Sequence, residues 1–200
     1  DQANAMTDRL DGRIAILGQD ASANPILLSV NGDPYVSQNL VATQFPATVG
    51  AAGTIDNTLS PVGADAWNLT SLNAGSLNLS NSYARQFYAY PNGKMLIAFN
   101  KGTNTTVIRL NKDQSLDTSF GNSGSALNLY TSGPGFITIL GPLFGTSVVH
   151  DMFVDNGTNA DGSIYLTGTY GGSNSWLLKL SANGYFGGFS GYNPFDMTSI

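Results

Sequence analysis

The chain has 200 residues, enough to bury a hydrophobic core without disulfides, and its 42% hydrophobic content excludes a disordered tail. Charged residues make up only 10%, and the net charge of −5 with eight scattered basic residues argues against a nucleic-acid partner. The absence of cysteine excludes a disulfide scaffold, a thiolate zinc site and a cysteine nucleophile.

Neutral polar residues and glycine replace the missing charges. The chain has 24 Gly and 20 Asn, and all 13 acidic residues are Asp, because Glu does not occur. Asn and Gly favour turns, and the lack of Glu removes a common helix former. The composition therefore predicts many short strands joined by turns, with helix as a minor feature.

Three segments in chain order share one pattern, beginning at Asp11, Asn92 and Asp161. Each opens with Asp-Gly or Asn-Gly, continues with an apolar run, a polar turn and a second run, and reaches another turn 20 to 22 residues after the first glycine. The segments are DGRIAILGQDASANPILLSVNGDPYVS, NGKMLIAFNKGTNTTVIRLNKDQSLDTSF and DGSIYLTGTYGGSNSWLLKLSANGYFGGF. An internal repeat of this kind indicates one structural unit used three times.

Each copy is predicted to be a three-stranded meander whose first hairpin closes with a type I′ turn at Asp-Gly or Asn-Gly. The predicted first strands are 3–10, 83–90 and 148–154; the second are 13–17, 94–99 and 163–167; the third are 26–30, 106–110 and 175–180.

Two long spacers separate the copies. Residues 36–81 are too many for a bare loop in a compact domain, so we expect a fourth strand of the first copy followed by an irregular insertion. The spacer 127–146 contains the apolar stretch 136–140, which predicts another strand.

The second copy carries a family resemblance. Its sequence PNGKMLIAF, followed by VIRLNKDQSLDTSFGNSG, resembles the delta-60 repeat of bacterial multi-repeat β-propeller proteins over residues 83–124. The third copy keeps DGSIYLTG and LKLSANG but has 185–189 in place of the LDTSFG tail, and the first copy keeps only DGRIAILG and VNGD. The resemblance implies that the meanders are blades of a β-propeller-like array.

The predicted fold class is therefore all-β, with three β-meander repeats forming blades of a β-propeller-like array. Closed propellers have about four to eight blades, so we expect the array to be incomplete or part of a larger protein. We predict a single repeat domain over 1–200, with repeat 1 at about 1–60 and its insertion reaching 81, repeat 2 at about 82–130, and repeat 3 at about 146–195.

Calcium is the one metal that the sequence suggests. Asp155, Asn159 and Asp161 place side-chain oxygens at alternating positions before a glycine turn, as calcium loops do. Gly157 stands where a first acidic ligand would be, and no Glu completes the set. We therefore favour a turn in which Asn and Asp bond their own backbone, predict no cofactor, and keep calcium as the alternative.

Catalytic groups are sparse. His150 is the only histidine, and we expect a strand residue bonded to a neighbour, pointing away from Ser147. An Asp-based hydrolase would have to use Asp151 or one of the turn aspartates, which we expect to act as turn formers: Asp11, Asp113, Asp117 and Asp161.

The C-terminal end is rich in aromatic residues, which either pack between blades or form an interaction surface: Tyr185, Phe186, Phe189, Tyr192 and Phe195. We expect a non-enzymatic structural or protein-interaction scaffold that associates with a protein partner or with itself. A carbohydrate-binding module is the alternative, and an Asp-based hydrolase comes third. The composition favours an extracellular, cell-surface or periplasmic location, and no apolar run reaches the ~20 residues of a transmembrane helix.

Overall fold

The computed structural model describes residues 2–8, 13–31, 67–72, 77–121, 130–139, 147–156, 162–170 and 174–185. Within these ranges the regular structure is β, apart from one 3-10 turn at Leu69–Ser71. The strands are β1 (Gln2–Asp8), β2 (Arg13–Gln19), β3 (Pro25–Asn31), β4 (Trp67–Asn68), β5 (Tyr83–Ala89), β6 (Met95–Lys101), β7 (Asn104–Leu110), β8 (Tyr130–Gly133), β9 (Phe136–Ile139), β10 (Ser147–Val154), β11 (Ile164–Tyr170) and β12 (Asn174–Leu180). The predicted all-β class is confirmed.

The strands form three antiparallel sheets. The first sheet has the order β1-β2-β3-β4, the middle sheet β5-β6-β7-β9-β8, and the third sheet β10-β11-β12. The nine strands predicted for the three copies are all present, one meander in each sheet. The short β4 is a fourth strand of the first sheet, but it lies at 67–68, inside the stretch that was expected to be insertion. The strand expected within 136–140 is present as β9.

The middle sheet is buried on both faces because it lies between the other two. Met95, Ile97 and Phe99 of β6 pack in one core with residues of the first sheet. Leu96 and Ala98, which alternate with them, pack in a second core with residues of the third sheet. This explains the unbroken apolar run MLIAF, since a strand covered on both faces has no solvent side.

The predicted type I′ turn at Asn92-Gly93 is wrong. The Gly93 N–H donates to the Tyr90 carbonyl at 2.9 Å and the Tyr90 N–H donates to the Lys94 carbonyl at 2.8 Å, so the loop has three residues. Only Gly93 has a positive φ, +84°, whereas type I′ needs two such residues. Pro91 fits the first position of this loop, because its ring fixes φ near about −65°.

The same three-residue loop recurs in all three sheets. Its third residue is left-handed in each case, and the hydrogen bonds run between the two flanking residues: Ala23 between Asp20 and Asn24, Gln114 between Asn111 and Ser115, and Gly184 between Ser181 and Tyr185. In the third sheet the first hairpin is longer, because Asp155 N–H donates to the Ser163 carbonyl at 2.9 Å across 156–162. Turns at Asp11-Gly12 and at Asp161 lie outside the described residues.

The first strands of the sheets meet at their edges, where β5 packs against β1 on one side and β10 on the other. Each carries a β-bulge at the same place in its pairing, at Asn4, Arg85 and His150. The three sheets therefore share register as well as sequence pattern. In the described part of the chain there is no helix of the length and hydropathy needed to cross a membrane.

Candidate functional site

The junction between the middle and third sheets holds an ionic cluster. Arg109 lies on β7, and its Nε is 2.6 Å from Asp117 Oδ2, while Lys94 Nζ is 2.7 Å from the same oxygen. The side chains of Arg109 and Asp117 are only 8% and 6% exposed. Ser119 completes the shell, since its hydroxyl donates to Asp117 Oδ1 at 2.6 Å. Both carboxylate oxygens are thus occupied by donors from the protein.

These donors determine the charge of Asp117. Burial raises the pKa of its carboxyl, but hydrogen bonds from Lys94, Ser119 and Arg109 outweigh burial and hold the pKa well below its usual range. The residue is therefore an ionised acceptor and a poor proton donor. Asp117 was expected only to form a turn; it does bond Ser119 N–H locally, yet its main role is the buried ion pair.

Arg109 connects this cluster to the third sheet. Its guanidinium donates to the Ala182 carbonyl and, at 3.2 Å, to Asn183 Oδ1, both in the last hairpin loop. It also lies 4.9 Å from the centre of the Phe120 ring. Gly121 N–H donates to the Asn183 carbonyl at 2.9 Å. Arg109 on β7 and Gly121 in the segment after β7 therefore both bond the last loop of the third sheet.

A buried carboxamide also links neighbouring sheets at each junction. Asn100, at the end of β6, accepts a hydrogen bond from Val149 N–H of β10 at 3.0 Å. Gln19, at the same position in β2, donates to the Ser82 carbonyl just before β5 at 3.4 Å. In the third sheet this position is Thr169, whose hydroxyl is 3.0 Å from His150 Nε2. The first two sheets thus each bond the sheet that follows.

The two contacts between neighbouring sheets are made in the same direction: the same kind of face packs on the next sheet each time. We call the face that bears Met95, Ile97 and Phe99 the leading face, and the opposite face, with Leu96, Ala98 and Asn100, the trailing face. The pairing register assigns Ile14 and Ile164 to the position of Met95, and Ala15 and Tyr165 to that of Leu96. Ala15 packs in the core shared with the middle sheet, and Ile164 packs in the core shared with it from the other side. Each trailing face therefore covers the leading face of the next sheet.

The two outermost faces carry apolar side chains at packing positions. The leading face of the first sheet bears Met6, Ile14, Ile16, Ile26 and Leu28, and the trailing face of the third sheet bears Phe153, Tyr165, Thr167, Leu177 and Lys179. Met6 is 69% exposed, although its counterparts Phe87 and Met152 pack in the cores. Phe153 is 62% exposed, although its counterpart Tyr88 packs against the third sheet. No other described strand lies on either face.

The calcium candidate is only partly described. Asp155 is half-buried, and its backbone closes the hairpin to Ser163. Asn159 and Asp161 lie outside the described residues. Within the described ranges no three His, Cys, Asp or Glu side chains come together as a metal site would require.

The aromatic candidates are described only at their first member. Tyr185 is half-buried and ends the last hairpin loop, where its N–H donates to Ser181 Oγ at 3.0 Å. Phe186, Phe189, Tyr192 and Phe195 lie outside the described residues. Tyr185 therefore ends the loop to which Arg109 bonds, two residues after Asn183.

The remaining catalytic candidates lie apart from the ionic cluster. His150 is exposed on its bulge and bonds Thr169, as expected of a strand histidine with a polar neighbour. Asp151 is exposed and accepts a hydrogen bond from Met152 N–H at 2.8 Å. Asp113 is a turn former as predicted, and hydrogen bonds from the side chain and backbone of Ser115 lower its pKa.

Sequence reasoning missed the Arg109–Asp117 pair and the carboxamide links. A signal for the first was present: Arg109 interrupts the apolar run VIRL, and a charge on a buried strand requires a partner. Gln19 and Asn100 each end an apolar run at the same distance from the repeat's first turn, which marks them as paired positions.

No protein-family model, curated protein or solved structure matches this chain.

Proposed function

We propose that the chain is a non-enzymatic structural scaffold that assembles with other protein chains, built from delta-60-like repeats as consecutive blades of a propeller-like array. The observation that carries this proposal is the repeated junction: trailing face on leading face, twice, with the same buried carboxamide position between neighbours. Such an array has one outer face of each kind, which suits it to joining further units.

The buried polar groups support a structural role. Among the described residues, Arg109, Asp117 and Lys94 form a charge cluster whose members bond one another and whose guanidinium also bonds the next sheet. A catalytic acid needs a carboxyl whose pKa is raised, whereas the pKa of Asp117 is lowered. This favours scaffold over an Asp-based hydrolase.

A carbohydrate-binding module is the second candidate, and Tyr185 is the residue that favours it. Tyr185 is half-buried and comes directly after the loop to which Arg109 bonds. Four further aromatic residues follow it in sequence. Aromatic rings of this kind stack on sugars. The scaffold proposal expects these rings to pack instead.

The proposed location is the cell exterior or the periplasm. The supporting features are compositional: only 10% charged residues, abundant Asn and Gly, and no cysteine. Calcium bound by Asp155, Asn159 and Asp161 is not required by the scaffold.

The scaffold proposal is tested by measuring mass and ligand binding on the same preparation. Light scattering after size exclusion should show a species heavier than one chain, either alone or with a partner protein, and Asp151→Asn should leave that assembly unchanged. Glycan-array binding that is lost in Tyr185→Ala, with no assembly at any concentration, would contradict it. Glycoside hydrolysis abolished by Asp151→Asn would contradict it equally.

A further inference from the structure

We propose that the protein docks with a second copy of itself head to tail, the leading face of the first sheet in one copy packing on the trailing face of the third sheet in the other. This inference rests on the proposed scaffold function and names its partner. It uses the faces that bear Met6 and Phe153.

The first argument is continuity. Both junctions inside the chain place a trailing face on a leading face, so the array uses up one face of each kind at every junction. Among the described sheets, the leading face of the first and the trailing face of the third are covered by no other sheet. A contact between two different surfaces is heterologous: the leading face of one copy packs on the trailing face of the other.

The second argument is the identity of the exposed side chains. Met6 has the same place in its sheet as Phe87 and Met152 have in theirs, and both of those side chains pack against a core. The equivalent pairs are Met6 with Ile16, Phe87 with Ile97, and Met152 with Leu166. Burying such side chains is the main source of association energy between sheets. The leading face is apolar throughout its row Met6, Ile16 and Leu28.

Phe153 gives the same result at the other end. It pairs with Tyr165 as Tyr88 pairs with Leu96, and Tyr88 reaches the next sheet, where Asn156 Nδ2 donates to its hydroxyl. The position of Phe153 is one that contacts the following sheet in the middle sheet, whereas Phe153 itself is exposed on the third sheet.

The third argument is the cation on the trailing face. Lys179 pairs with Tyr165 in the third sheet as Arg109 pairs with Leu96 in the middle sheet. Arg109 uses this position to reach the last loop of the next sheet. Lys179 lies 5.4 Å from the centre of the Tyr165 ring, on the face that we assign to the second copy.

Head-to-tail contacts either close into a ring or continue as a filament. The described residues of each chain form three sheets, so two copies contribute six. Closed propellers contain about four to eight blades. We therefore expect the assembly to stop at two copies.

The test uses the full chain and two variants whose changed residues are already exposed, Met6→Lys and Phe153→Lys. Light scattering should give twice the mass of one chain for the wild type. Each variant alone should dimerise at least about tenfold more weakly, because a lysine charge would be buried in the contact. An equimolar mixture of the two should form a heterodimer, since each variant keeps the face that the other has lost.

Thr103→Lys is the matched control, because it adds the same charge on an exposed loop of the middle sheet and should leave the dimer unchanged. Circular dichroism and the urea midpoint confirm that each variant is folded; Leu28→Lys and Leu177→Lys repeat the test on the same two faces. A wild type with the mass of one chain overturns the inference. So does dimerisation of Phe153→Lys at wild-type strength, or a mixture without heterodimer.

Failure of the inference is distinguishable from failure of the scaffold proposal. A wild type that stays monomeric yet forms a complex with a different protein overturns the second copy as partner and leaves the scaffold function standing. A wild type that stays monomeric and binds only glycans overturns both.

Discussion

Asn100 holds the backbone of Val149 with both atoms of its carboxamide: Oδ1 accepts from Val149 N–H at 3.0 Å, and Nδ2 donates to the Val149 carbonyl at 3.4 Å. The two residues lie on different sheets and 49 positions apart in the chain. Because Asn100 is buried, these bonds fix the registry between the middle and third sheets without competition from water.

Replacing Asn100 by alanine should therefore destabilise the protein by about 2 to 3 kcal/mol, because the substitution leaves the Val149 N–H buried without its acceptor and opens a small cavity. Urea unfolding monitored by tryptophan fluorescence measures the change. Thr103→Ala, on an exposed loop, should shift the unfolding free energy by less than about 0.5 kcal/mol. Equal effects in the two variants would show that Asn100 does not link the sheets.

The buried ion pair should be costly to break from either side. Arg109→Met leaves the buried Asp117 carboxylate with Lys94 as its one cationic partner, and Asp117→Asn leaves the guanidinium without its charge partner. We expect each single change to cost about 3 to 5 kcal/mol in unfolding free energy, and the double variant to cost less than the sum. Additive costs in a double-mutant cycle would contradict a direct interaction between the two side chains.

The same pair predicts acid sensitivity. The folded pKa of Asp117 is lowered, so its contribution to stability is fully present above the unfolded pKa of about 4 and is lost as pH falls through the folded pKa. The wild type should therefore lose stability more steeply than Asp117→Asn as the pH is lowered from about 5. Asp113→Asn, an exposed aspartate, serves as the control and should flatten the profile far less. Parallel profiles for wild type and Asp117→Asn would contradict the assignment.

Alanine substitutions at two glycines with positive φ distinguish the cost of backbone strain from the cost of a steric clash in the core. Gly184 has φ +78°, and a Cβ there would come within 2.5 Å of Ile137 Cδ1 and 2.7 Å of Phe120 Cε2. Gly102 has φ +56°, but a Cβ would meet no described atom within 4 Å. Gly102→Ala should cost about 1 kcal/mol of strain, and Gly184→Ala about 3 kcal/mol or more, because it also displaces the core where the tail of β7 meets the last loop. Thermal denaturation of the two variants measures the difference; equal losses would refute the close contact.

Local features of the fold could be predicted from sequence, whereas the contacts between the three repeats within the chain could not. Turn residues at regular intervals located the nine repeat strands. That the run MLIAF is covered on both faces follows only from the packing of the three sheets. The partner of Asn100 lies on another copy, and no local pattern specifies which backbone group a buried carboxamide will bond. The hairpin before Lys94 was predicted wrongly because Asn92-Gly93 was taken as a two-residue turn, whereas residues 91–93 form the three-residue loop that recurs elsewhere in the chain.

The candidate residues show the same division. Asp113 was correctly predicted to form a turn because its partner Ser115 is two residues away. Asp117 was given the same role, but its partners Lys94 and Arg109 are brought together by the pairing of β6 with β7. Met6 and Phe153 look like ordinary strand residues in the sequence, and only the register reveals that their counterparts in the other sheets pack, partly buried, against the cores.

The central claim, that the ends of the array are docking faces, is tested most directly by the rate at which peroxide oxidises Met6. Met95, which is 1% exposed, gives the rate of a buried methionine in the same chain. In concentrated wild-type protein we predict that Met6 is oxidised nearly as slowly as Met95, and that dilution or Phe153→Lys restores fast oxidation. Oxidation of Met6 at the rate of the urea-unfolded chain, at every protein concentration, would contradict the account.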